Sequence, residues 1–361
     1  MKATHNTLPL RKTKRTIKVL IVDDSAMVRE ILQERLSQES GIEVVGTASD
    51  AYDARDKIVK LHPDVLTLDV EMPKMTGVEF LRRLMPQYPL PVVMVSSLTQ
   101  KGKRIALESL EAGAIDFVAK PSANLGRGLN NMVMELCTKI KIASTANVSH
   151  WKKKRQAFPS EQKPLVSAKL KKVKSTVIAI GASTGGIEAI TEIVSKLPVS
   201  SPGVVIVQHM PPMFTTMFAN RLNVKTGLLV KEADDGDIVL PGQVYVAPGD
   251  KQLRIKKTGG TYSVKITDEE KVCGHRPSVE VMMQSMAKSI GANGIGIMLS
   301  GMGSDGANGM LAMRQAGART IAQDQATSVV YGMPKEAYDR GGVEQVLPLQ
   351  KIAGGIVKLL S

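Results

Sequence analysis

The chain has 361 residues, a length that suggests two domains, and its 43% hydrophobic and 23% charged residues are typical of globular domains with real cores. No run of about 18 apolar residues is present, so we expect no membrane insertion, and residues 1–16 lack the apolar centre of a secretory signal. The two cysteines, Cys137 and Cys273, exclude a disulfide framework and suit a reducing compartment, so we expect a cytoplasmic protein.

The net charge of +14 raises the question of nucleic-acid binding. Its distribution argues against a basic fold. Residues 1–16 carry five Lys or Arg and no acid, and residues 144–175 carry nine with one Glu, which leaves about +1 for the rest. We predict a disordered basic tail over 1–16, a basic interdomain linker over 144–175, and nearly neutral folded domains with no nucleic-acid partner.

Short apolar runs alternate with amphipathic helix patterns between residues 17 and 143. The runs that predict strands are IKVLIV (17–22), EVVGTAS (43–49), DVLTLDV (64–70), PVVMVSS (91–97) and DFVAKP (116–121). The patterns that predict helices cover 25–38, about 51–60, 77–85, 102–112 and 126–142. Five strands alternating with helices predict an α/β domain with a doubly wound (βα)5 parallel sheet over residues 17–143.

Polar residues follow the strands of this predicted sheet, at the edge where open parallel sheets bind ligands. They are Asp23, Asp24, Asp69, Ser96 and Lys120. Three carboxylates in one crevice repel one another unless a cation neutralises them, and Mg²⁺ prefers such oxygen ligands. A hydroxyl and an ammonium suit the oxygens of a phosphoryl group, so Asp69 is the predicted nucleophile that forms an aspartyl phosphate. The alternative is that an aspartate such as Asp24 only caps the next helix.

Residues 17–122 resemble the receiver domain of bacterial response regulators. The matching residues are VDDS (22–25), LDVEMPKMTG (68–77), VSS (95–97) and DFVAKP (116–121). The resemblance implies that Asp69 is the phospho-acceptor, that Asp24 with Asp23 holds Mg²⁺, and that Ser96 and Lys120 contact the phosphoryl group. Phe117 falls where receivers place a rotating aromatic switch residue.

A second α/β pattern begins at Thr176 and predicts a doubly wound domain over residues 176–361. The predicted strands are 177–183, 204–210 and 294–301, and the predicted helices are 187–197, 279–290 and 306–317. The stretch 228–268 has short alternating runs separated by Pro-Gly, Gly-Asp and Gly-Gly turns. We predict a small antiparallel hairpin insertion there.

Three residues of the second domain suggest nucleophilic catalysis. Ser183 lies in GASTGG (181–186), between a predicted strand and a predicted helix, where backbone N–H groups stabilise negative charge. A serine nucleophile needs a base and an orienting carboxylate, and His209 and Asp305 also follow predicted strands. The alternatives are a phosphate-binding turn, a structural histidine and a helix-capping aspartate.

Residues 176–359 resemble the catalytic domain of the chemotaxis receptor methylesterases, the CheB family. The matching residues are GASTGG (181–186), QHMPP (208–212), FANRLN (218–223), VYVAPG (244–249), HRPSV (275–279), SGMGSDGA (300–307) and GMPKEA (332–337). The resemblance implies that Ser183 is the nucleophile, His209 the general base and then acid, and Asp305 the group that orients the imidazole.

The same resemblance implies the reaction and the partners. We expect phosphorylation-activated hydrolysis of glutamyl methyl esters on methyl-accepting chemotaxis receptors, in chemotaxis adaptation, with deamidation of receptor glutamines left open. A chemotaxis histidine kinase is the expected phosphodonor, and the esterase chemistry needs no cofactor. Thr184 and Met302 lie where the family flanks the nucleophile and the oxyanion site. We further expect the unphosphorylated receiver to cover the Ser183 site.

Three other classes of protein remain as alternatives. A DNA-binding response regulator predicts a helix-turn-helix after the linker, where residues 176–361 show strands and glycine-rich turns. A nucleotide-binding domain would use GASTGG for phosphate, but the motif lacks a Gly-Lys-Ser/Thr ending. A phosphorylation-dependent scaffold would lack catalysis altogether. The apolar residues after His209 (Met210, Pro211, Pro212, Met213, Phe214 and Met217) predict either a lip for a substrate helix or helix-packing core.

Overall fold

The computed structural model describes residues 15–97, 100–120, 125–154, 170 and 173–361. The predicted tail up to residue 14 and most of the linker after Lys154 therefore lie outside the described residues. Arg15, in the last part of the predicted tail, forms an ion pair with Asp64 at 2.8 Å. Within the described ranges, no helix has the length and apolar character needed to cross a membrane.

The first domain is a five-stranded parallel sheet of order β2-β1-β3-β4-β5 with helices on its faces. Its strands are β1 (Ile17–Val22), β2 (Ile42–Ala48), β3 (Val65–Asp69), β4 (Val92–Ser97) and β5 (Asp116–Lys120). Its helices are α1 (Ala26–Ser37), α2 (Ala51–Leu61), α3 (Gly77–Gln87), α4 (Gln100–Glu111) and α5 (Leu125–Ala143). The predicted doubly wound fold of this domain is confirmed.

Local sequence explains how these elements begin and why the sheet is buried. Every residue of β3 is buried, as expected for a parallel strand covered on both faces. Helix α3 starts with a capping box, in which Thr76 and Glu79 bond each other's backbone N–H groups. Asp50 caps α2 by accepting from the N–H groups of Tyr52 and Asp53. The caps place each helix directly after the loop that follows a strand.

The start of the predicted linker is ordered and packs on the first domain. Val148 is buried in the core of that domain, and a short helix, α6 (His150–Lys154), follows it. The ring of Trp151 covers Gly113, where an added Cβ would lie only 2.8 Å from the indole. The sequence prediction missed this because the apolar residues of 144–154 show no helical period and find their contacts far away in the chain.

The second domain is built on a seven-stranded sheet of order β14-β13-β12-β6-β7-β9-β8. The strands of this sheet are β6 (Val177–Ala182), β7 (Gly203–Gln208), β8 (Leu229–Glu232), β9 (Gln243–Val246), β12 (Gly294–Met298), β13 (Arg319–Gln323) and β14 (Gln345–Leu347). The helices are α7 (Gly186–Val194), α8 (Phe214–Lys225), α9 (Val279–Ser289), α10 (Ala307–Gln315), α11 (Met333–Asp339) and α12 (Leu349–Leu360). The predicted second α/β domain is confirmed.

The predicted insertion at 228–268 is smaller than expected. Strands β10 (Gln252–Thr258) and β11 (Thr261–Thr267) form the antiparallel hairpin, joined by the two glycines 259 and 260. Strands β8 and β9 of the same stretch instead extend the main sheet in parallel. Short alternating runs do not distinguish a hairpin from parallel strands near the edge of a sheet, because both kinds of strand have one buried face and one more exposed face.

Three neighbouring strands bring the candidate catalytic segments to one edge of the sheet. In the register, Ala182 at the end of β6 pairs with Gln208 at the end of β7. On the other side of β6, Gly181 pairs with Met298 at the end of β12. Because all three strands are parallel, the segments that leave them start side by side.

The two domains contact each other through several kinds of interaction. Ala106 and Leu107 of α4 are buried in the hydrophobic core of the second domain. The Glu111 carboxylate forms ion pairs with Arg221 and, at 2.8 Å, with Lys225 of α8. Three residues before α6, the backbone N–H of Asn147 in the first domain donates to Val329 O of the second domain at 2.8 Å. The first domain is therefore docked on the second rather than tethered beside it.

Replacing Trp151 by Ala is expected to destabilise the first domain by about 2 kcal/mol, because a half-buried indole leaves its place over Gly113. The matched control is Lys152→Ala, since Lys152 is an exposed residue of the same short helix. Urea unfolding of the full chain measures the difference. Equal stability of the two variants would show that α6 does not support the domain.

Candidate active site and phosphorylation site

The predicted acidic pocket of the first domain is assembled in the structure. Ligand oxygens of Asp23, Asp24 and Asp69 all lie within 4.8 Å of one another. Lys120 Nζ bridges two of these groups, at 2.8 Å from Asp23 Oδ2 and 2.9 Å from Asp69 Oδ2. Ser96 is buried at the end of the neighbouring strand β4, where it pairs in register with Ala119.

The electrostatics of this pocket favour a bound cation. Burial raises the pKa of Asp69 to about 6, and the nearby Asp23 charge acts in the same direction, although Lys120 opposes both. Burial works to lower the pKa of Lys120, but the two carboxylates outweigh it and raise that pKa. One ammonium therefore does not fully neutralise the cluster. Three carboxylates with oxygen atoms this close are a chemically suitable ligand set for Mg²⁺.

Phe117 lies at the contact between the domains rather than in the acidic pocket. Its ring stacks on Phe214 at the start of α8, with ring centroids 4.7 Å apart. Lys139 Nζ lies over the Phe117 ring at 5.2 Å and forms an ion pair with Asp116 at 3.0 Å. Phe117 and Lys120 are three residues apart on β5, so they point to opposite faces of that strand.

Ser183 lies in the turn between β6 and α7 and faces a cavity. Its N–H donates to Ser300 O at 3.0 Å, and its carbonyl accepts from Gln208 Nε2 at 2.9 Å. The turn needs glycine at Gly185, which has a φ of +78° and where an added Cβ would lie 2.5 Å from Val329. It also needs Gly301 across the sheet, where a Cβ would lie 2.8 Å from that of Ser183.

His209 and Asp305 form a buried pair. His209 Nε2 lies 2.8 Å from Asp305 Oδ2, and the two side chains are only 8% and 1% exposed. His209 Nδ1 is also buried and has no hydrogen-bond partner among the described residues. Because the carboxylate takes a hydrogen bond from Nε2, the neutral ring carries its proton there and leaves Nδ1 as the free base.

The Asp305 carboxylate is fixed by the N-terminus of α9. It accepts from the hydroxyl of Ser278 at 2.7 Å and from the backbone N–H groups of Val279 and Glu280 at 2.7 and 3.0 Å. Burial works to raise its pKa, but the bonds from His209, Ser278 and Glu280 outweigh burial, and the pKa lies below its ordinary value. Asp305 thus stays ionised beside His209.

Asp305 is not a cap for the helix that follows it. The cap position of α10 is Gly306, which has no side chain to cap the helix, and the Gly309 N–H in its first turn donates to Glu280 Oε2 at 2.9 Å. The carboxylate instead accepts hydrogen bonds from His209 and from the first turn of α9, a helix that begins about 26 residues earlier in the chain. This geometry argues against the helix-capping alternative.

A cavity of about 870 Å³ lies between the domains and contains the candidate catalytic groups. Ser183, Thr184, His209 and Met302 line one side, and the other side is formed by the first domain through residues that include Phe117. Met302 is 48% exposed at the mouth. The site is therefore a crevice whose opposite wall belongs to the acidic-pocket domain.

The apolar stretch after His209 divides between the two alternatives. Met210 and Phe214 are buried in the core of the second domain. Pro211, Pro212 and Met213 are exposed, and the two prolines also line the cavity. An apolar lip exists, but it is shorter than the sequence suggested, because α8 anchors the rest of the stretch.

Sequence reasoning missed three supporting residues: Ser278, Gln208 and His275. Gln208 holds the carbonyl of Ser183, and Ser278 both caps α9 and bonds Asp305. His275 stacks face to face on His209, with centroids 3.7 Å apart and planes within 9°. The motif QHMPP and the motif HRPSV contain all three residues, but nothing in a motif shows which side chain contacts the catalytic pair.

Fold and site together define a class of protein: a receiver domain of the response-regulator type joined to an α/β domain with a serine, histidine and aspartate at its strand ends. Comparison with known proteins agrees with this class. The CheB methylesterase family matches residues 178–356, and the response regulator receiver domain matches residues 19–126.

Similar proteins extend over nearly the whole chain. A protein-glutamate methylesterase/protein-glutamine glutaminase of Syntrophotalea carbinolica is 59% identical over 345 residues, which are 96% of this chain and 98% of the relative. A protein of the same name from Sulfurimonas denitrificans is 51% identical over 347 residues, 96% and 99% of the two chains. The CheB methylesterase catalytic domain of Thermotoga maritima is 38% identical, with a TM-score of 0.50, over 51% of this chain and 98% of that one.

The chain belongs to the CheB methylesterase family. It is therefore a methylesterase joined to a receiver domain, in the two-domain architecture predicted from its motifs.

Replacing Asp69 by Asn is expected to stabilise the metal-free protein at pH 7.5 by up to about 3 kcal/mol. The reason is that the replacement removes a buried charge whose unfavourable environment raises the pKa of Asp69 from 3.8 to about 6. Because the folded-state pKa is raised, the charge penalty is complete above about pH 6 and disappears as the pH falls towards 4. The gain should follow the same course in thermal unfolding and should shrink when MgCl₂ is added. A gain that persists unchanged at pH 4 would contradict this explanation.

Proposed function

We propose that the protein removes methyl groups from glutamyl methyl esters of chemotaxis receptors through Ser183, His209 and Asp305, under the control of phosphorylation at Asp69. The observation that carries the proposal is a free imidazole nitrogen of an Asp-paired histidine in the cavity that Ser183 lines. The names of the relatives, which combine methylesterase and glutaminase, support the same substrate class for this chain.

The first step is attack of the Ser183 hydroxyl oxygen on the ester carbonyl carbon while His209 Nδ1 takes the hydroxyl proton. Asp305 stabilises the imidazolium that results. The backbone N–H groups of Thr184 and Met302, which flank Ser183 in the cavity, are the proposed donors to the oxyanion. The imidazolium then gives its proton to the departing methoxide, and methanol leaves.

The second step hydrolyses the acyl-enzyme. His209 Nδ1 takes a proton from water as the water attacks the acyl carbon, and this proton passes to Ser183 Oγ as its bond to the acyl carbon breaks. The product leaves as a glutamic acid side chain, which releases the second water proton to solvent and becomes the carboxylate. A glutamine side chain would give the same acyl-enzyme with ammonia as the leaving group. Deamidation is therefore the second activity that this site supports, and it needs no further residue.

The receiver domain supplies the control. When bound, Mg²⁺ neutralises charge on the transferred phosphoryl group; Asp23, Asp24 and Asp69 would hold the ion. Asp69 is the proposed phospho-acceptor from a histidine kinase, with Ser96 and Lys120 as contacts of the phosphoryl oxygens. The receptor's helices are the proposed substrate surface, and they must enter the crevice from outside.

The contact between the domains supports a route by which phosphorylation of Asp69 would alter the ester site. Lys120 would leave its present bonds to Asp23 and Asp69 in part to bind the phosphoryl group, and Phe117 lies on the same five-residue strand. Phe117 stacks on Phe214, which follows the exposed apolar lip. Movement of β5 would therefore loosen the wall that the receiver builds over Ser183.

Ser183→Ala is expected to lower kcat for methanol release from methylated receptor at least about 10³-fold, because the remaining groups cannot form the acyl-enzyme. Ser200→Ala, at an exposed serine of the same domain, is the control and should match wild type. Methanol release with and without a small phosphodonor measures both. Substantial hydrolysis by the Ser183 variant would remove this serine from the nucleophile role.

Glu111→Gln is expected to raise the basal activity about fivefold, since it removes the charge that holds Arg221 and Lys225 across the domain contact. Glu108→Gln is the matched control, because Glu108 pairs at 3.6 Å with Arg82 of its own domain. Activity is measured without phosphodonor, with Asp69→Asn as the background that cannot be phosphorylated. Equal basal activities of the Glu111 and Glu108 variants would argue against control through this contact.

A further inference from the structure

The catalytic pair leaves one motion of the His209 ring unrestrained. The ring is held at Cβ by the backbone after β7 and at Nε2 by the 2.8 Å contact with Asp305. Rotation about the line that joins these two points would keep both contacts. Nδ1 lies off that line, so the rotation would change the direction in which the free base points within the cavity that Ser183 lines.

The ring of His275 lies where it blocks this rotation. The two imidazoles are stacked with centroids 3.7 Å apart and planes within 9° of parallel, which is full contact of the faces. Both histidines line the cavity that contains Ser183. A flat partner at contact distance leaves the ring of His209 no room to turn towards that side.

The backbone that carries His275 is firmly anchored. Val272 and His275 exchange both backbone hydrogen bonds around a tight turn in which Cys273 and Gly274 have φ values of +53° and +82°. The His275 carbonyl also accepts from Gln252 Nε2 at 3.2 Å. The side-chain Oε1 of Gln252 in turn accepts from the N–H of Ser278 at 2.9 Å, and the Ser278 hydroxyl donates to Asp305. The stacked ring and the carboxylate thus share one support.

The charge state of His275 suits a passive wall. Burial lowers its pKa to about 4, and the neighbouring His209 and Lys271 act in the same direction. Its ring is therefore neutral when the His209 ring takes up a proton. A cationic neighbour at 3.7 Å would oppose that proton uptake, whereas a neutral aromatic face does not.

We propose that His275 is a positioning residue for ester hydrolysis, whose flat face fixes the plane of the His209 imidazole so that Nδ1 faces Ser183. It transfers no proton itself. The inference rests on the proposed function of Ser183 and His209 and extends it to a residue outside the serine, histidine and aspartate set.

The test compares His275→Ala with His275→Phe in the full-length protein. The Ala variant removes the flat face, and we expect kcat for methanol release to fall about 10- to 100-fold with KM changed less than about twofold, because the base is misplaced while the receptor surface is intact. The Phe variant restores a flat neutral ring that cannot exchange protons, and we expect activity within about threefold of wild type. Glu270→Gln, at an exposed residue of the same loop, is the control.

A second readout separates positioning from loss of folding. The rate at which a fluorophosphonate probe phosphonylates Ser183, with loss of fluoride, should fall in the Ala variant in parallel with kcat and recover in the Phe variant. The pH profile of kcat/KM between pH 6 and 9 should keep its midpoint in the Phe variant, since His275 is neutral throughout that range. Circular dichroism melting curves of all variants report whether the domain stays folded.

Three outcomes would overturn the inference. Wild-type kcat and probe rate in the Ala variant would show that the stack is not needed. A Phe variant as slow as the Ala variant, with normal melting, would show that the imidazole chemistry matters and not the flat face. A parallel rise of KM in both would assign His275 to receptor binding. Failure of wild-type protein to release methanol would instead contradict the proposed function.

Discussion

The catalytic domain is organised around one buried carboxylate. Asp305 is almost completely removed from solvent, so its charge must be balanced by hydrogen bonds within the protein. Those bonds come from an imidazole, a hydroxyl and two backbone N–H groups at the start of α9. Helix α9 must therefore begin beside the Asp305 carboxylate, and this requirement fixes the position of the loop that precedes the helix. The position of the candidate base is a consequence of how that charge is accommodated.

The same constraint links parts of the chain that are distant in sequence. Gln252 is the first residue of the β10–β11 hairpin, and its side chain forms hydrogen bonds with the backbone of His275 and Ser278 in the loop before α9. The hairpin looks like a peripheral insertion in the sequence, yet it fastens the segment that supports the carboxylate. Gln252 is completely buried, and a buried amide is stable only when its hydrogen bonds are made. The insertion thus belongs to the construction of the site.

The first domain solves its charge problem differently. Its three carboxylates share one bridging ammonium, that of Lys120, and burial together with the Asp23 charge still raises the pKa of Asp69. In the second domain, hydrogen bonds within the protein compensate the charge of Asp305. In the first domain, the charge of Asp69 is compensated only in part. A pocket that is poised in this way can respond to an added cation or phosphoryl group, and a rigidly satisfied one cannot.

Sequence patterns predicted those features that depend on period and strand order. The apolar runs of buried strands identified both sheets. Because parallel strands end at the same edge, the sequence also predicted that Ser183 and His209 lie close together, which agrees with the β6–β7 register. Motif resemblance added the roles. The stack of His275 on His209, the support from Gln252 and the packing of residues 144–154 could not be predicted, because each depends on contacts between segments with no shared period. The parallel addition of β9 and then β8 at the end of the sheet was missed because strands of four residues carry too little pattern to reveal their direction.

The orientation of the His209 ring has a mechanical consequence. The free nitrogen, Nδ1, is bonded to the ring carbon that carries Cβ, whereas Nε2 lies at the far end of the ring. The base is therefore on the short arm of the side chain, close to the end of a buried strand. Oscillation about the Cα–Cβ bond displaces Nδ1 less than Nε2, whereas rotation of the ring about its long axis, which the stacked His275 ring opposes, is the motion that would displace Nδ1 more. The atom that acts on the serine thus lies close to the backbone and does not extend far from it. The substrate ester must therefore bind at the edge of the sheet.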